Sequence, residues 1–190
     1  DGRFYDNDKN WFRASHFRTI IKLGIRLNDI DYIEKFIENY FLRLEPNLRK
    51  ALKHFAAANV CFAKKQYDES LNNIIKADLK DQLFNIDSRR LMAKIYYETD
   101  SMENLQSLLD AFAHFLKTIK SSDQIIIRRN LNFIKYLKKL VKLKEKNADQ
   151  FDTDQIITGL KKENISEIRW LMKKLSDLNV RQTSQKSGAG

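Results

Sequence analysis

Apolar side chains recur at every third or fourth position along most of the chain, with polar and charged residues between them. This spacing is typical of amphipathic helices that bury one face. Strand-like alternation is not seen, and one proline with five glycines leaves long stretches without a helix breaker. The pattern predicts an all-α fold, with helices over about 11–27, 31–44, 47–64, 67–79, 86–98, 100–117, 121–146, 155–162 and 164–178.

The helix boundaries are predicted from residues that stop or cap helices. Pro46 is expected to end the second helix, and Asn47 to cap the third. Three further positions have the spacing of a capping box, in which two side chains satisfy backbone N–H groups at a helix start. These are Asp100 with Glu103, Ser121 with Gln124, and Asn164 with Glu167.

A helix pair is most clearly marked in residues 47–79, where small residues occupy regular offsets. Ala58 lies twelve residues before Ser70, and Ala77 lies seven after it. Two helices that cross at about 8–10 Å leave no room for large side chains, so small residues are expected at the contact. The turn is predicted at Lys65-Gln66, followed by an aromatic residue, Tyr67.

Two neighbouring stretches follow a similar pattern at a period near 34 residues. Upstream, Gly24 precedes Phe36, which takes the place of a small residue. A glycine within a helix costs about 1 kcal/mol relative to alanine, so close packing is expected at Gly24. Downstream, Ala93 precedes Leu105, which is again large where a small residue is usual.

Several phrases in the chain resemble the tetratricopeptide-like (TPR-like) repeats, and more particularly a family of bacterial helical-repeat proteins. They are FIENYFLRLEP, AKKQYDESLNNI, LMAKIYYETDSMENLQSLLDAF and LNFIKYLKKL, with SEIRWLMKKL similar to that family's C-terminal helix. The resemblance implies an α-solenoid of about three helix pairs, followed by a long basic helix and C-terminal capping helices. It implies a binding role and no assigned activity. The alternative is an irregular helical bundle.

This interpretation divides the chain into three parts. Residues 1–146 are expected to form the TPR-like helical-repeat domain, 147–178 an acidic linker with the C-terminal capping helices, and 179–190 a disordered tail. In the linker, Asp149, Asp152 and Asp154 faintly resemble a calcium loop. The glycine and the final glutamate of such a loop are missing, so we expect a solvated acidic segment.

The positive charge is concentrated in one predicted helix. The chain carries a net charge of +10, and residues 1–46 are neutral, whereas 121–146 hold eight basic and two acidic residues. At 100° per residue, five cations fall within a sector of about 60° on that helix. These candidate partner-binding residues are Arg128, Lys135, Lys139, Lys142 and Lys146. The alternative is a solvated helix face, which the predominance of lysine favours because arginine is better suited to phosphate.

Catalytic and metal-binding motifs are not found. Cys61 is the only cysteine, and its apolar neighbours predict a buried thiol. The three histidines, His16, His54 and His114, fall on different predicted helices, and no phosphate-binding loop or nucleophile motif occurs. We therefore predict a protein that is not an enzyme and that uses no cofactor or metal. A helical enzyme is kept only as a third hypothesis.

The predicted function is non-catalytic protein–protein interaction, by a scaffold or adaptor module that binds a peptide or helix of a partner, including an acidic one. The alternative is binding of the phosphate backbone of nucleic acid through the basic helix 121–146. No apolar run has the length of a membrane span and no signal peptide is seen, which predicts a cytoplasmic location. The chain does not begin with Met, so it is expected to be a piece of a longer protein. Its oligomeric state is not predicted.

Overall fold

A computed structural model describes residues 11–119, 123–146 and 150–187, with side chains described except at 146, 150–152 and 179–187. Apart from one isolated bridge between Phe12 and Leu44, the secondary structure of these residues is helical, which confirms the all-α prediction. A short 3-10 turn, Phe41–Arg43, follows the second helix. The helices are α1 Ala14–Leu27, α2 Ile30–Tyr40, α3 Pro46–Ala63, α4 Tyr67–Ala77, α5 Gln82–Glu98, α6 Met102–Thr118, α7 Gln124–Lys146, α8 Gln150–Lys162 and α9 Ile168–Ser187.

Proline begins a helix here. Pro46 is the first residue of α3 and Glu45 its N-cap, so the prediction that Asn47 caps this helix was wrong. Proline suits the first position because its missing N–H would have no partner there, and its fixed φ matches the helix. Helix α5 starts earlier than predicted, because the Asp81 side chain accepts hydrogen bonds from the backbone N–H groups of Leu83 and Phe84.

Two of the three predicted capping boxes do not start their helices at the predicted residue. Asp100 and Glu167 both have a φ of 59°, and each comes before its helix begins, at Met102 and Ile168. At the start of α7, Asp123 accepts hydrogen bonds from two backbone N–H groups at 3.0 and 3.1 Å. Ser121, the predicted cap, lies outside the described residues. The Asp123 carboxylate, two residues after Ser121, therefore accepts the hydrogen bonds that a capping residue provides at the start of α7.

The chain divides into two compact units, Asp1–Ser101 and Met102–Gly190, here called unit 1 and unit 2. The boundary falls between α5 and α6, the helices of the third predicted pair, so a three-pair array stays a prediction. Helix α8 begins at Gln150, within the stretch expected to be an acidic linker, and α9 extends to Ser187, within the expected tail. Asp149 lies outside the described residues, as does the side chain of Asp152.

In unit 1, small residues set the contact between α3 and α4. Ala58, Ser70 and Ala77 are fully buried, and the Ser70 hydroxyl donates a hydrogen bond of 2.7 Å to the Ala58 carbonyl oxygen. Lys65 has a φ of 60° in the turn between the two helices. The predicted turn and the predicted contact residues of this helix pair are therefore confirmed.

Gly24 lies at the contact between α1 and α2. A Cβ atom added at this position would lie 2.4 Å from Ile33 Cγ1 and 2.9 Å from Ile33 Cδ1. Real Cβ atoms do not approach other heavy atoms so closely, so Ile33 occupies the space that any larger residue would need. The close packing expected from the sequence is confirmed.

In the described part of unit 2, α7 contributes more buried apolar residues than any other helix, and it packs against α6, α8 and α9. Its central residues Phe133, Leu137 and Leu140 are buried, as the helical period requires. The neighbouring helices contribute Leu109, Phe112, Leu116, Leu160, Leu171 and Leu175. This packing fixes which side of α7 faces solvent. Among the described residues, no helix combines the length and apolar character needed to cross a membrane.

Candidate interaction surfaces

The cations predicted on α7 lie on its exposed side. Arg128, Lys135, Lys139 and Lys142 are all exposed and are called the α7 basic face below. The side chain of Lys146, the fifth candidate, lies outside the described residues. The four side chains extend over fourteen residues, which is about 21 Å of helix at 1.5 Å per residue.

An exposed isoleucine adjoins this face at the start of α7. The Ile125 side chain is 65% exposed, and it lies one turn before Arg128 and Arg129, which are also exposed. Residues three and four apart on a helix are neighbours on its surface. The N-terminal end of the α7 basic face therefore combines apolar and cationic groups.

Lys135 is tied to the segment that follows α8. Its Nζ atom lies 2.7 Å from Glu163 Oε1, and the Tyr136 hydroxyl donates a hydrogen bond of 2.9 Å to the same oxygen. Hydrogen bonds from Lys135 and Tyr136 hold the pKa of Glu163 below its usual value. Burial and the Glu163 carboxylate together raise the pKa of Tyr136 to about 12. Lys135 is thus partly neutralised by a carboxylate of its own chain.

The Tyr136 ring positions two of the lysines. The Nζ atoms of Lys135 and Lys139 lie 5.1 and 5.3 Å from its ring centroid, within the range of cation–π attraction. Beneath the hydroxyl lies Gly159 of α8, where an added Cβ atom would be 2.4 Å from the Tyr136 oxygen. Helix α8 therefore supports the central part of the α7 basic face.

Replacing Gly159 by alanine tests this support. We expect Gly159→Ala to lower the free energy of unfolding by about 1–3 kcal/mol, because the new methyl group displaces the Tyr136 hydroxyl. In a Tyr136→Phe background the displaced oxygen is gone, so the loss should shrink, and the helix preference for alanine should offset it. Urea unfolding of the four proteins of this double-mutant cycle measures the coupling. Equal losses in the two backgrounds would show that the hydroxyl is not the obstacle.

A second ion pair on α7 lies outside the basic face. Lys138 Nζ contacts Asp110 Oδ1 of α6 at 2.5 Å, and Gln106 donates a hydrogen bond of 2.9 Å to the same carboxylate. These bonds lower the pKa of Asp110. Because Asp110 is 59% exposed, water screens the pair, and it adds little to stability.

Unit 1 contains a charged group that the sequence analysis missed. Asp87 of α5 is buried, and its two carboxylate oxygens contact Arg18 Nε at 2.6 Å and Lys22 Nζ at 2.9 Å, both from α1. Arg90, one turn further along α5, also donates to Asp87. These four residues, Arg18, Lys22, Asp87 and Arg90, are called the Asp87 cluster.

Burial and neighbouring charges shift two groups in the Asp87 cluster. Burial, reinforced by Arg90 and Arg18, lowers the pKa of Lys22 to about 8, although Asp87 opposes the change. Burial by itself would raise the pKa of Asp87, but the nearby cations Arg90, Lys22 and Arg18 outweigh it and hold that pKa below the usual value. In this cluster, Asp87 is therefore an ionised carboxylate, and Lys22 is an ammonium group that loses its proton more readily than an ordinary lysine.

A sequence signal for this cluster exists. Asp87 and Arg90 fall at helical spacing between Phe84 and Leu91, which are buried on the apolar side of α5. Charged residues within an apolar stripe are rarely left without a partner, because burying an unpaired charge is costly. The charged residues in the apolar stripe of α5 therefore indicate a buried ion pair. They do not identify its partners on α1.

Cys61 and His54 have ordinary surroundings in the described part of unit 1. Cys61 is partly buried, and burial raises the pKa of its thiol, which favours the unreactive protonated form. His54 Nδ1 lies 2.9 Å from Asn73 Oδ1, an ordinary hydrogen bond between α3 and α4. In the part of the chain that the structure describes, no three His, Cys, Asp or Glu side chains group as metal ligands would.

The fold and these surfaces define a class: an all-helical protein with a basic helix face in one unit and a buried, cation-rich cluster in the other. Compared with known protein families, curated proteins and solved structures, the chain gives no match. The interpretation of its function therefore depends on the residues of the two surfaces themselves.

Proposed function

We propose that the protein is a non-catalytic interaction module, a scaffold or adaptor that binds an acidic peptide or helix through the α7 basic face. The observation that carries the proposal is the exposed Ile125, one turn before Arg128 and Arg129, at the N-terminal end of the α7 basic face. Protein partners bury apolar groups at the centre of an interface and place charges around it. The TPR-like resemblance, which implies a binding role, agrees with this proposal.

The charge of this face favours an acidic partner. Among the described residues, only Lys135 of the four cations has a direct ion pair, which it makes with Glu163. Arg128, Lys139 and Lys142 project from about 21 Å of helix. An acidic helix of similar length can place carboxylates near these groups, and the opposite charges would speed association.

Nucleic-acid binding through the same helix is the second candidate. It is favoured by the row of cations alone, which could follow a phosphate backbone. Two observations weigh against it. Lys135 is already paired with Glu163, and the exposed apolar side chain of Ile125 has no charge or hydrogen-bond donor with which to bind a phosphate. Lysine also lacks the forked geometry with which arginine binds phosphate.

Charge reversal on the α7 basic face tests the proposal. We expect a fluorescently labelled amphipathic helical peptide, in which Glu and Leu each recur at every third or fourth position on separate faces, to bind saturably, as measured by fluorescence anisotropy. Lys139→Glu with Lys142→Glu should weaken binding about tenfold or more, because two attractions become repulsions. Ile125→Ser should also weaken it, through the loss of apolar contact.

A matched control has the same change of charge elsewhere in unit 2. Lys117 of α6 and Lys173 of α9 are exposed and lie outside the α7 basic face, so Lys117→Glu with Lys173→Glu should leave the affinity nearly unchanged. If the two double variants weakened peptide binding equally, the net charge of the protein would explain the loss of affinity, and the proposed surface would be refuted. Tighter binding of a DNA or RNA duplex, falling steeply with salt, would establish the alternative function.

A further inference from the structure

The Asp87 cluster holds more positive charge than its carboxylate balances. Arg18, Lys22 and Arg90 all contact Asp87, so three cations share one anion. Arg18 binds one carboxylate oxygen, while Lys22 and Arg90 bind the other. Both oxygens of Asp87 are therefore engaged, and Arg18 and Lys22 together carry one more unit of charge than the Asp87 carboxylate that they share.

Two of these cations retain hydrogen-bond donors toward solvent. Arg18 uses its Nε–H for Asp87, whereas a guanidinium has five N–H groups, and Lys22 has three. The Arg18 side chain is 17% exposed and that of Lys22 is 34% exposed. They lie one turn apart on α1, and the Arg18 guanidinium is 6.0 Å from the Phe84 ring centroid. Asp87 thus holds both cations in place before any ligand arrives, and the Phe84 ring packs near Arg18.

We propose that Arg18 and Lys22, held by Asp87, form a binding site for an oxyanion, a carboxylate or a phosphate group, on the solvent side of the Asp87 cluster. A second anion at this point would accept the remaining N–H groups and offset the excess charge. Charge-assisted hydrogen bonds to oxyanions are among the stronger ones, and a partly desolvated setting strengthens them. The site belongs to unit 1, so the proposal is independent of the function proposed for α7.

The electrostatics of Lys22 give the site a characteristic pH dependence. The charged groups that act on Lys22 are Arg18 of α1 and Asp87 and Arg90 of α5, and with burial they set its pKa at about 8. A bound oxyanion favours the charged form and would raise this pKa. Affinity is therefore expected to fall as the pH rises through about 8, where unbound Lys22 loses its proton.

Sulfate is a suitable probe because its charge is constant over this pH range. In ¹⁵N-resolved NMR spectra of the full chain, we expect the Arg18 Nε–H signal to shift saturably with added sulfate, with a midpoint in the millimolar range. Lys22→Gln should raise the midpoint at least fivefold and abolish its change between pH 7 and pH 9. Lys64→Gln is the matched control, since Lys64 is also a partly exposed lysine, ion-paired with Glu34, and it should leave the midpoint unchanged.

Other outcomes would overturn the proposal. A shift that grows linearly with sulfate, or an equal midpoint in wild type and Lys22→Gln, would show that the cluster only ties α1 to α5. If sulfate binds as expected, inorganic phosphate and a short capped glutamate peptide distinguish the two sources of the oxyanion. Tighter binding of the peptide assigns the site to acidic side chains, and tighter binding of phosphate assigns it to phosphate groups. Lys22→Gln removes only the most exposed member of the cluster, so the fold is expected to survive, and amide spectra of the same sample check this.

Discussion

Replacing Asp87 by alanine should lower the free energy of unfolding of unit 1 by about 3–5 kcal/mol. The change removes the carboxylate that Arg18, Lys22 and Arg90 share, and leaves these neighbouring, partly buried cations without it. Breaking a buried ion pair by removing one partner is costly because the other charge stays buried without compensation. A loss of this size would consume much of the stability of an ordinary domain.

The measurement can be restricted to unit 1. The chain has two tryptophans, Trp11 in unit 1 and Trp170 in unit 2, so a Trp170→Phe background makes the fluorescence report on unit 1 during urea unfolding. As a matched control in unit 1, Glu34→Ala removes a carboxylate that is ion-paired with Lys64 but is 45% exposed, and should cost at most about 1 kcal/mol. Similar losses for Asp87→Ala and Glu34→Ala would contradict the importance of burial.

Acid adds an independent check of the same interaction. The pKa of Asp87 is lowered in the folded protein, so the unfolded chain takes up its proton first as the pH falls. The contribution of Asp87 is therefore complete at neutral pH and is lost as the pH falls below about 4, the ordinary value for aspartate, toward the folded pKa. Unit 1 with Asp87→Ala should lack this part of the acid dependence.

Enlarging Ser70 should produce the second large effect. Ser70→Leu removes the hydrogen bond to the Ala58 carbonyl and forces a larger side chain between helices that leave it no space. Overpacking and the lost hydrogen bond together should cost about 3 kcal/mol. Ser70→Ala removes the hydrogen bond alone and should cost about 1 kcal/mol.

The control for Ser70→Leu lies next to it in the chain. Glu69 is exposed on α4, so Glu69→Leu makes a comparable change of side chain without entering the helix contact, and should shift stability by less than about 0.5 kcal/mol. Tryptophan fluorescence of the Trp170→Phe background again measures unit 1. A small effect of Ser70→Leu would contradict this prediction. It would show that α3 and α4 move apart to admit a larger side chain, although Ala58 and Ala77 are fully buried between them.

The sequence predicted those features that depend on local periodicity. The α3–α4 contact follows from small residues at fixed offsets, and the exposed side of α7 follows from 100° per residue, so both could be deduced from spacing. Helix starts were less predictable, because several residues compete for each cap: Asp123 is the acceptor at α7, and Pro46 opens α3. Such local competition shifts a boundary by a few residues without changing the fold class.

The Asp87 cluster could not be deduced in the same way. Its two hydrogen bonds from α1 join residues that are 69 and 65 positions apart, Arg18 with Asp87 and Lys22 with Asp87. Periodicity places a residue on a face of its own helix, but it does not say which distant helix packs there. The charged residues in the apolar stripe of α5 were the available signal, and they indicate a partner without naming it.

The separation of these partners along the chain has a consequence for the order of folding. During synthesis, α1 to α4 are made before Asp87, so Arg18 and Lys22 are present without the carboxylate that will hold them. Contacts between distant segments form late because closing the intervening loop costs entropy. We therefore expect the ion pairs between α1 and Asp87 to form only once α5 has been made, so that the last helix of unit 1 provides the carboxylate that the first helix lacks.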